Sequence, residues 1–202
     1  MPWFARIRKC PVHVSVAACA VLVALAPACR RTPSVPNEVV QTADALTTAA
    51  LDEAVALAGA GGDVVLVDVE RTPEMADPFS ARAMSGIRGG LAARGLSLRA
   101  EERLPINPDI ERTGEALRKG DFIELVRRHA SAKLIVLFVP PPVLTSAEVG
   151  ALPTPRPKIM LVTNWQAPRL TKLPKGFIQV AIVPRAEGAS AVDFASQFEV
   201  IK

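Results

Sequence analysis

Apolar and polar positions along this chain alternate between two rhythms, one of helices and one of buried strands. From Glu38 to Ala58, Val40, Ala43, Leu46, Ala50, Ala54 and Leu57 recur every three or four residues, which predicts an amphipathic helix. Asn37 is placed to cap it, and Gly59, Gly61 and Gly62 stop it. The next run, Asp63 to Val69, reads Asp-Val-Val-Leu-Val-Asp-Val. A short β-branched run of this kind suits a strand covered on both faces. Asp77 and Pro78 then supply an N-cap and a first-turn proline. Phe79, Ala83, Ile87 and Leu91 form the apolar stripe of the helix they open, and Gly95 ends it.

The rhythm continues to the C-terminus. Leu96 to Arg103 predicts a second strand and Pro105 to Arg112 a loop. A helical region broken near Gly120 follows, with Asp121 and Glu124 spaced as a capping box. Lys133 to Val139 is a third strand, stopped by Pro140, Pro141 and Pro142, which cannot donate to a ladder. A short helix is expected from Thr145 to Leu152. Pro153, Pro155 and Pro157 read as a rigid connector. Strands are expected at Lys158 to Thr163, Phe177 to Val183 and, as a sheet edge, Phe198 to Ile201. Buried strands alternating with helices imply an α/β fold. The expectation is a single Rossmann-like or flavodoxin-like three-layer domain, with a mostly parallel sheet of five or six strands. No repeat and no second domain is evident.

The first residues follow a different pattern. Arg6, Arg8 and Lys9 precede an apolar stretch from about Pro11 to Ala26, and small residues lead up to Cys29. This is the layout of an export signal, too short for a comfortable transmembrane helix. Leu25-Ala26-Pro27-Ala28-Cys29 resembles a bacterial lipobox, in which the cysteine becomes the lipidated first residue. The expected organisation is a lipoprotein signal peptide over 1–28, a proline-bearing tether over 29–37, and one α/β domain over 38–202. The alternative is ordinary signal cleavage near Ala28, giving a soluble exported protein. Cys10, Cys19 and Cys29 are the only cysteines, so the expected domain holds no disulfide and no thiolate metal site.

Charge changes meaning once the signal is set aside. The chain has 24 basic and 20 acidic residues. The signal carries three of the bases and no acid, which leaves 21 against 20. That balance is no nucleic-acid footprint. The partners expected are a membrane, reached through a lipid on Cys29, and either a small solute or a protein.

Asp77-Pro78-Phe79, Gly86-Ile87, Leu91, Gly95-Leu96 and Leu98 resemble the first helix and following strand of type I periplasmic binding proteins. The Asp121 to Pro142 and Lys158 to Asn164 segments are similar to later parts of the same lobe. The resemblance covers roughly Asp63 to Arg185. It implies a solute-binding lobe. Those proteins close two lobes on a solute, and this chain has residues for one.

Candidate chemistry is sparse. In an open α/β sheet, ligands lie beyond the carboxyl ends of the strands. Those ends carry Asp68, Glu70 and Arg71 after the first strand, Pro140 to Pro142 after the third, Asn164 and Trp165 after the fourth, and Arg185 after the fifth. Glu70, Arg71, Asn164, Trp165 and Arg185 are the candidate ligand-binding residues: Trp165 offers a stacking face, Asn164 an amide, and either arginine an anion partner. Asp68-Val69-Glu70-Arg71-Thr72 resembles the nucleophile motif of haloacid-dehalogenase-like phosphatases. That motif has a second aspartate where this chain has Glu70, and clustered late carboxylates for magnesium are missing. His129 is the only histidine after the signal and sits at a predicted helix end. Gly86 to Gly90 misses both phosphate-loop spacings, and its small residues are expected to let the helix sit close to the sheet. The reading is therefore non-enzymatic, without a cofactor or metal: a binding or accessory lipoprotein of the cell envelope. Its alternative is a structural or protein-interaction domain that binds no small ligand, with a hydrolase a distant third.

Overall fold

The structure is a computed structural model, described here for residues 37–72, 77–163, 172–184 and 198–202. Six strands form one sheet: β1 (Asp63–Val69), β2 (Ser97–Leu104), β3 (Leu134–Leu137), β4 (Lys158–Val162), β5 (Val180–Pro184) and β6 (Phe198–Ile201). Their order is β2-β1-β3-β4-β5-β6. Every neighbouring pair is parallel except β5 with β6. The helices are α1 (Asn37–Ala58), α2 (Pro78–Gly90), α3 (Ile110–Thr113), α4 (Lys119–Arg128) and α5 (Ser146–Gly150). The expected α/β class, three layers and mostly parallel sheet are all present.

Strand pleating divides the core. Val64, Leu66, Leu134, Val136, Met160 and Ile182 pack with α1 and α2 on one face. Val65, Val67, Ile135, Leu137, Ile159 and Leu161 pack with α4 on the other. Successive strand residues point to opposite faces, so continuous apolar runs serve two cores at once. Phe122 and Phe177 meet edge to face at 6.0 Å on the α4 side.

Local signals explain most boundaries. Asp77 caps α2 by accepting the Phe79 amide at 3.0 Å, with Pro78 in the first turn. Gly95 takes φ 70° after a short 3₁₀ turn, Ala92–Arg94, and leads into β2. Two boundary expectations need correction. The Asp121–Glu124 capping box does not form, because α4 begins at Lys119 and its N-cap, Arg118, makes no side-chain cap bond. A full capping box instead opens α5, where Thr145 and Glu148 bond reciprocally. The break before α4 falls at Gly114, φ 65°, after the one-turn α3, rather than at Gly120.

The Gly86 region serves helix on helix, not helix on sheet as expected. A Cβ on Gly86 would come within 2.7 Å of Thr47 Oγ1, and one on Gly90 would strike the Leu51 side chain. Thr47 is itself held by a bond from its hydroxyl to Ala43 O at 2.8 Å. At Gly89 a Cβ meets nothing within 4 Å. Alanine is favoured over glycine in a helix by about 1 kcal/mol, whereas overpacking costs about 1–3 kcal/mol. Urea unfolding should therefore show Gly89→Ala stabilised by about 0.5–1 kcal/mol and Gly86→Ala destabilised by about 1–2 kcal/mol. The same sign for both would show that α1 and α2 are not in close contact there.

Asp63 pins the N-terminal edge of the sheet. Its carboxylate accepts Arg99 from β2 at 2.8 Å and the Lys133 amide, just before β3, at 2.9 Å. Burial pushes its carboxyl upward, but the Arg99 guanidinium and the Lys133 amide outweigh this and hold it below the usual carboxylate value. A folded-state pKa below the unfolded one gives stability that is present above the unfolded pKa and lost as pH falls through the folded pKa. The stability gap between wild type and Asp63→Asn should be full above about pH 4 and close as pH falls further. A gap independent of pH in acid urea titrations would remove the charge from this account.

Candidate functional site

The chain leaves β1 for β2 on one side, while β3 lies on the other, so the sheet order switches beside the carboxyl end of β1. Asp68, near that end, accepts the Val69 amide at 2.8 Å and Arg71 Nη2 at 3.1 Å. Arg71 Nη1 lies 3.4 Å from Oδ2 of Asp77, the α2 cap. Asp77 Oδ2 also accepts the Ser80 hydroxyl at 2.6 Å. The Arg71 side chain is 11% exposed, and it bridges two carboxylates between a strand end and a helix start.

These groups line a pocket of about 290 Å³ between the end of β1, the opening turns of α2 and the outer part of β2. Glu101 and Arg103 reach it from β2, and Arg88 and Ser85 from α2. Arg88 pairs with Glu101 at 3.1 Å, and Arg103 approaches the same carboxylate at 3.9 Å. The three arginines balance Asp68, Asp77 and Glu101, so the lining is rich in charge yet neutral overall. Such a surface offers both hydroxyl acceptors and fixed donors. Its volume is at the lower end for ligand pockets, which suits a small solute. The pocket sits on the β2 side of β1, displaced from the crevice between β1 and β3.

Of the five candidate ligand residues, Arg71 lies in this pocket. Glu70 is exposed and outside the lining, and its amide extends the β1–β2 ladder by bonding Leu104 O at 2.8 Å. Asn164, Trp165 and Arg185 lie outside the described residues, as does Cys29. Sequence reasoning did not assign Asp77, Arg88, Glu101 or Arg103 to a site. The cap signal had located Asp77, but its second bond, to Arg71, depends on where α2 docks. Glu101 and Arg103 enter through the parallel pairing of β2 with β1, in which Arg103 lies opposite Asp68.

His129 has a structural setting. It ends α4, is 7% exposed, and its Nε2 lies 2.9 Å from Glu102 Oε1 of β2. Arg128 bonds the other oxygen of Glu102 at 2.9 Å, so the pair ties α4 to an edge strand. Among the described residues, no three potential metal-ligating side chains cluster, and no helix is long and apolar enough to cross a membrane.

No protein-family model and no curated protein matches the chain. Solved structures do. A LacI-type transcriptional regulator from Bacteroides fragilis superposes with a TM-score of 0.51 at 14% identity, over 71% of this chain and 47% of that one. An ABC transporter solute-binding protein from Burkholderia graminis, solved with D-arabinose, gives 0.48 at 20% identity, over 70% and 47%. A periplasmic ribose ABC transporter protein from Conexibacter woesei gives 0.47 at 15% identity, over 70% and 45%. The fold is thus similar to that of part of the LacI-type regulator. The chain spans less than half the length of each of these neighbours.

Proposed function

We propose that this is an exported, lipid-anchored binding or accessory protein of the cell envelope, whose lobe takes a small polyhydroxylated solute in the pocket around Arg71. The observation that carries the reading is the buried Arg71 guanidinium held between Asp68 and Asp77 at the pocket wall. A hydroxyl-rich, uncharged solute donates to the carboxylates and accepts from the guanidinium groups, and a neutral lining imposes no charge on it. Nothing in this chemistry calls for a reaction at the site. The test is a thermal-shift panel of pentoses, hexoses and polyols on the full chain. A ligand that binds only the folded state raises Tm with concentration. One class of polyol should do so, and Arg103→Ala, which alters the exposed rim, should weaken the shift. A panel with no concentration-dependent shift sinks the solute reading.

The interaction-domain reading rests on a different observation. The edge strand β6 leaves Val200 and Ile201 41% and 45% exposed. On the first helix, Ala43, Leu46, Ala50, Leu51 and Ala54 are all buried. Anchoring has its own check. A fatty-acid probe supplied to the cells should label the wild type and leave Cys29→Ser unlabelled. Equal labelling of the two would place the lipid elsewhere or remove it.

A further inference from the structure

A second pocket lies at the opposite end of the sheet, where β3 and β4 begin and α1 ends. Its volume is about 350 Å³, and Ser131, Lys133, Arg156 and Lys158 are in its lining. Three basic residues, Lys133, Arg156 and Lys158, therefore contribute to one concavity, and no acidic residue is in its lining. The acceptors that Lys158 and Arg156 do meet are neutral carbonyls. Lys158 Nζ donates to Leu57 O at 2.7 Å, and Arg156 Nη1 to Val149 O at 3.3 Å. The first contact is a cation satisfying the last turn of α1. It orients the ammonium group without cancelling its charge. The neighbouring carboxylate, Asp63, accepts the backbone amide of Lys133 and has its own cation in Arg99. The lining is thus left net positive, and the Ser131 hydroxyl in it is a further donor. The remaining wall includes Leu57, Ala58 and Pro155. This arrangement contrasts with the Arg71 pocket, where acids and bases balance.

We propose that this pocket is an anion site that takes a phosphoryl group, borne by a small phosphate or by a lipid headgroup. Convergent ammonium, guanidinium and hydroxyl donors match the several oxygens of a phosphoryl group, and charge-assisted bonds to it are the strong ones. The pocket exceeds the size of a bare ion, and its apolar wall leaves room for the carbon part of an ester. The site is independent of the solute pocket, about 20 Å away along the strands at about 3.3 Å per residue.

The test uses the full chain in neutral detergent micelles, with Tm as the readout. One arm adds inorganic phosphate, with potassium chloride of equal ionic strength as reference. The other mixes phosphatidylglycerol into the micelles. For a Kd of about 1 mM, about 10 mM inorganic phosphate should raise Tm by about 3–5 °C. Lys133→Ala/Arg156→Ala, which removes two exposed side chains, should abolish the rise. Arg112→Ala/Lys172→Ala, a charge-matched change elsewhere, should preserve it. A rise with inorganic phosphate supports a soluble source. A rise with phosphatidylglycerol alone, lost in Lys133→Ala/Arg156→Ala, supports a headgroup. No rise in either arm, a rise that survives in Lys133→Ala/Arg156→Ala, or one lost equally in Arg112→Ala/Lys172→Ala overturns the proposal.

Discussion

Arg71→Ala is expected to destabilise the protein by about 2–4 kcal/mol and to abolish the solute binding proposed for the pocket it lines. Removing one member of a buried ion pair leaves a charge without compensation, at about 3–5 kcal/mol for full burial. Here the change strands two carboxylates, Asp68 and Asp77, with side chains 13% and 20% exposed. Water reaches them in part, and the Val69 amide, the Phe79 amide and Ser80 still hold them. The expected cost is reduced accordingly. The compensated variant Asp68→Asn/Arg71→Met separates the two consequences. It removes both charges of the Asp68–Arg71 pair and leaves Asp77 charged, so part of the stability should return, while solute binding should stay lost. Urea unfolding of the three proteins reads the first effect and the thermal-shift panel the second. If Arg71→Ala costs less than about 0.5 kcal/mol, the bridge behaves as an exposed pair and its organising role falls.

Phe122→Ala should give the largest loss of stability in the domain, about 3–5 kcal/mol. Phe122 is fully buried on α4, within the core beneath β1 and β3, and its ring meets Phe177 edge to face. The lost contacts and the cavity both contribute. Domains of this kind are stable by about 5–15 kcal/mol, so a large share of the variant should be unfolded at modest urea. Phe177→Ala is the informative partner. The two changes should be non-additive by about 0.5–1.5 kcal/mol, the coupling of an aromatic pair. Strict additivity in a double-mutant cycle would mean that the rings do not sense each other, and that β5 and the turn before it are held by other contacts.

Much of the fold was legible because it is local. Seven-residue and shorter apolar runs marked β1, β3 and β4, and the edge strand β6 was placed to the residue. The α2 start was readable because an aspartate followed by proline satisfies first-turn geometry with no help from elsewhere. The α4 start was not. Asp121 and Glu124 have the capping-box spacing, yet the helix begins before them, and the equivalent pattern three strands into the fold, Thr145 with Glu148, is the one that forms. Spacing alone does not say which residue leaves helical geometry. The strand β5 starts at Val180 rather than Phe177, because a turn with Gly176 at φ 71° precedes it.

The sites divide in the same way. Arg71 could be singled out because it follows a strand whose buried character is written in its composition. Its partners could not. Asp77 reaches it only through the docking of α2, and Glu101 and Arg103 only through the register of β2 on β1. The basic pocket gathers Lys133, Arg156 and Lys158 from two strand starts and a loop, and no short motif announces it. Gly86 shows the distinction at a single residue: the sequence marks a need for a small side chain, and only the crossing of α1 over α2 identifies Thr47 as the reason. By itself, the sequence determined the order of the strands and main helices and the two-faced burial of the central strands, since periodicity and capping act within a few residues. The tertiary structure decided which strands neighbour, which charges meet and where concavities open, since these depend on contacts between segments far apart in the chain.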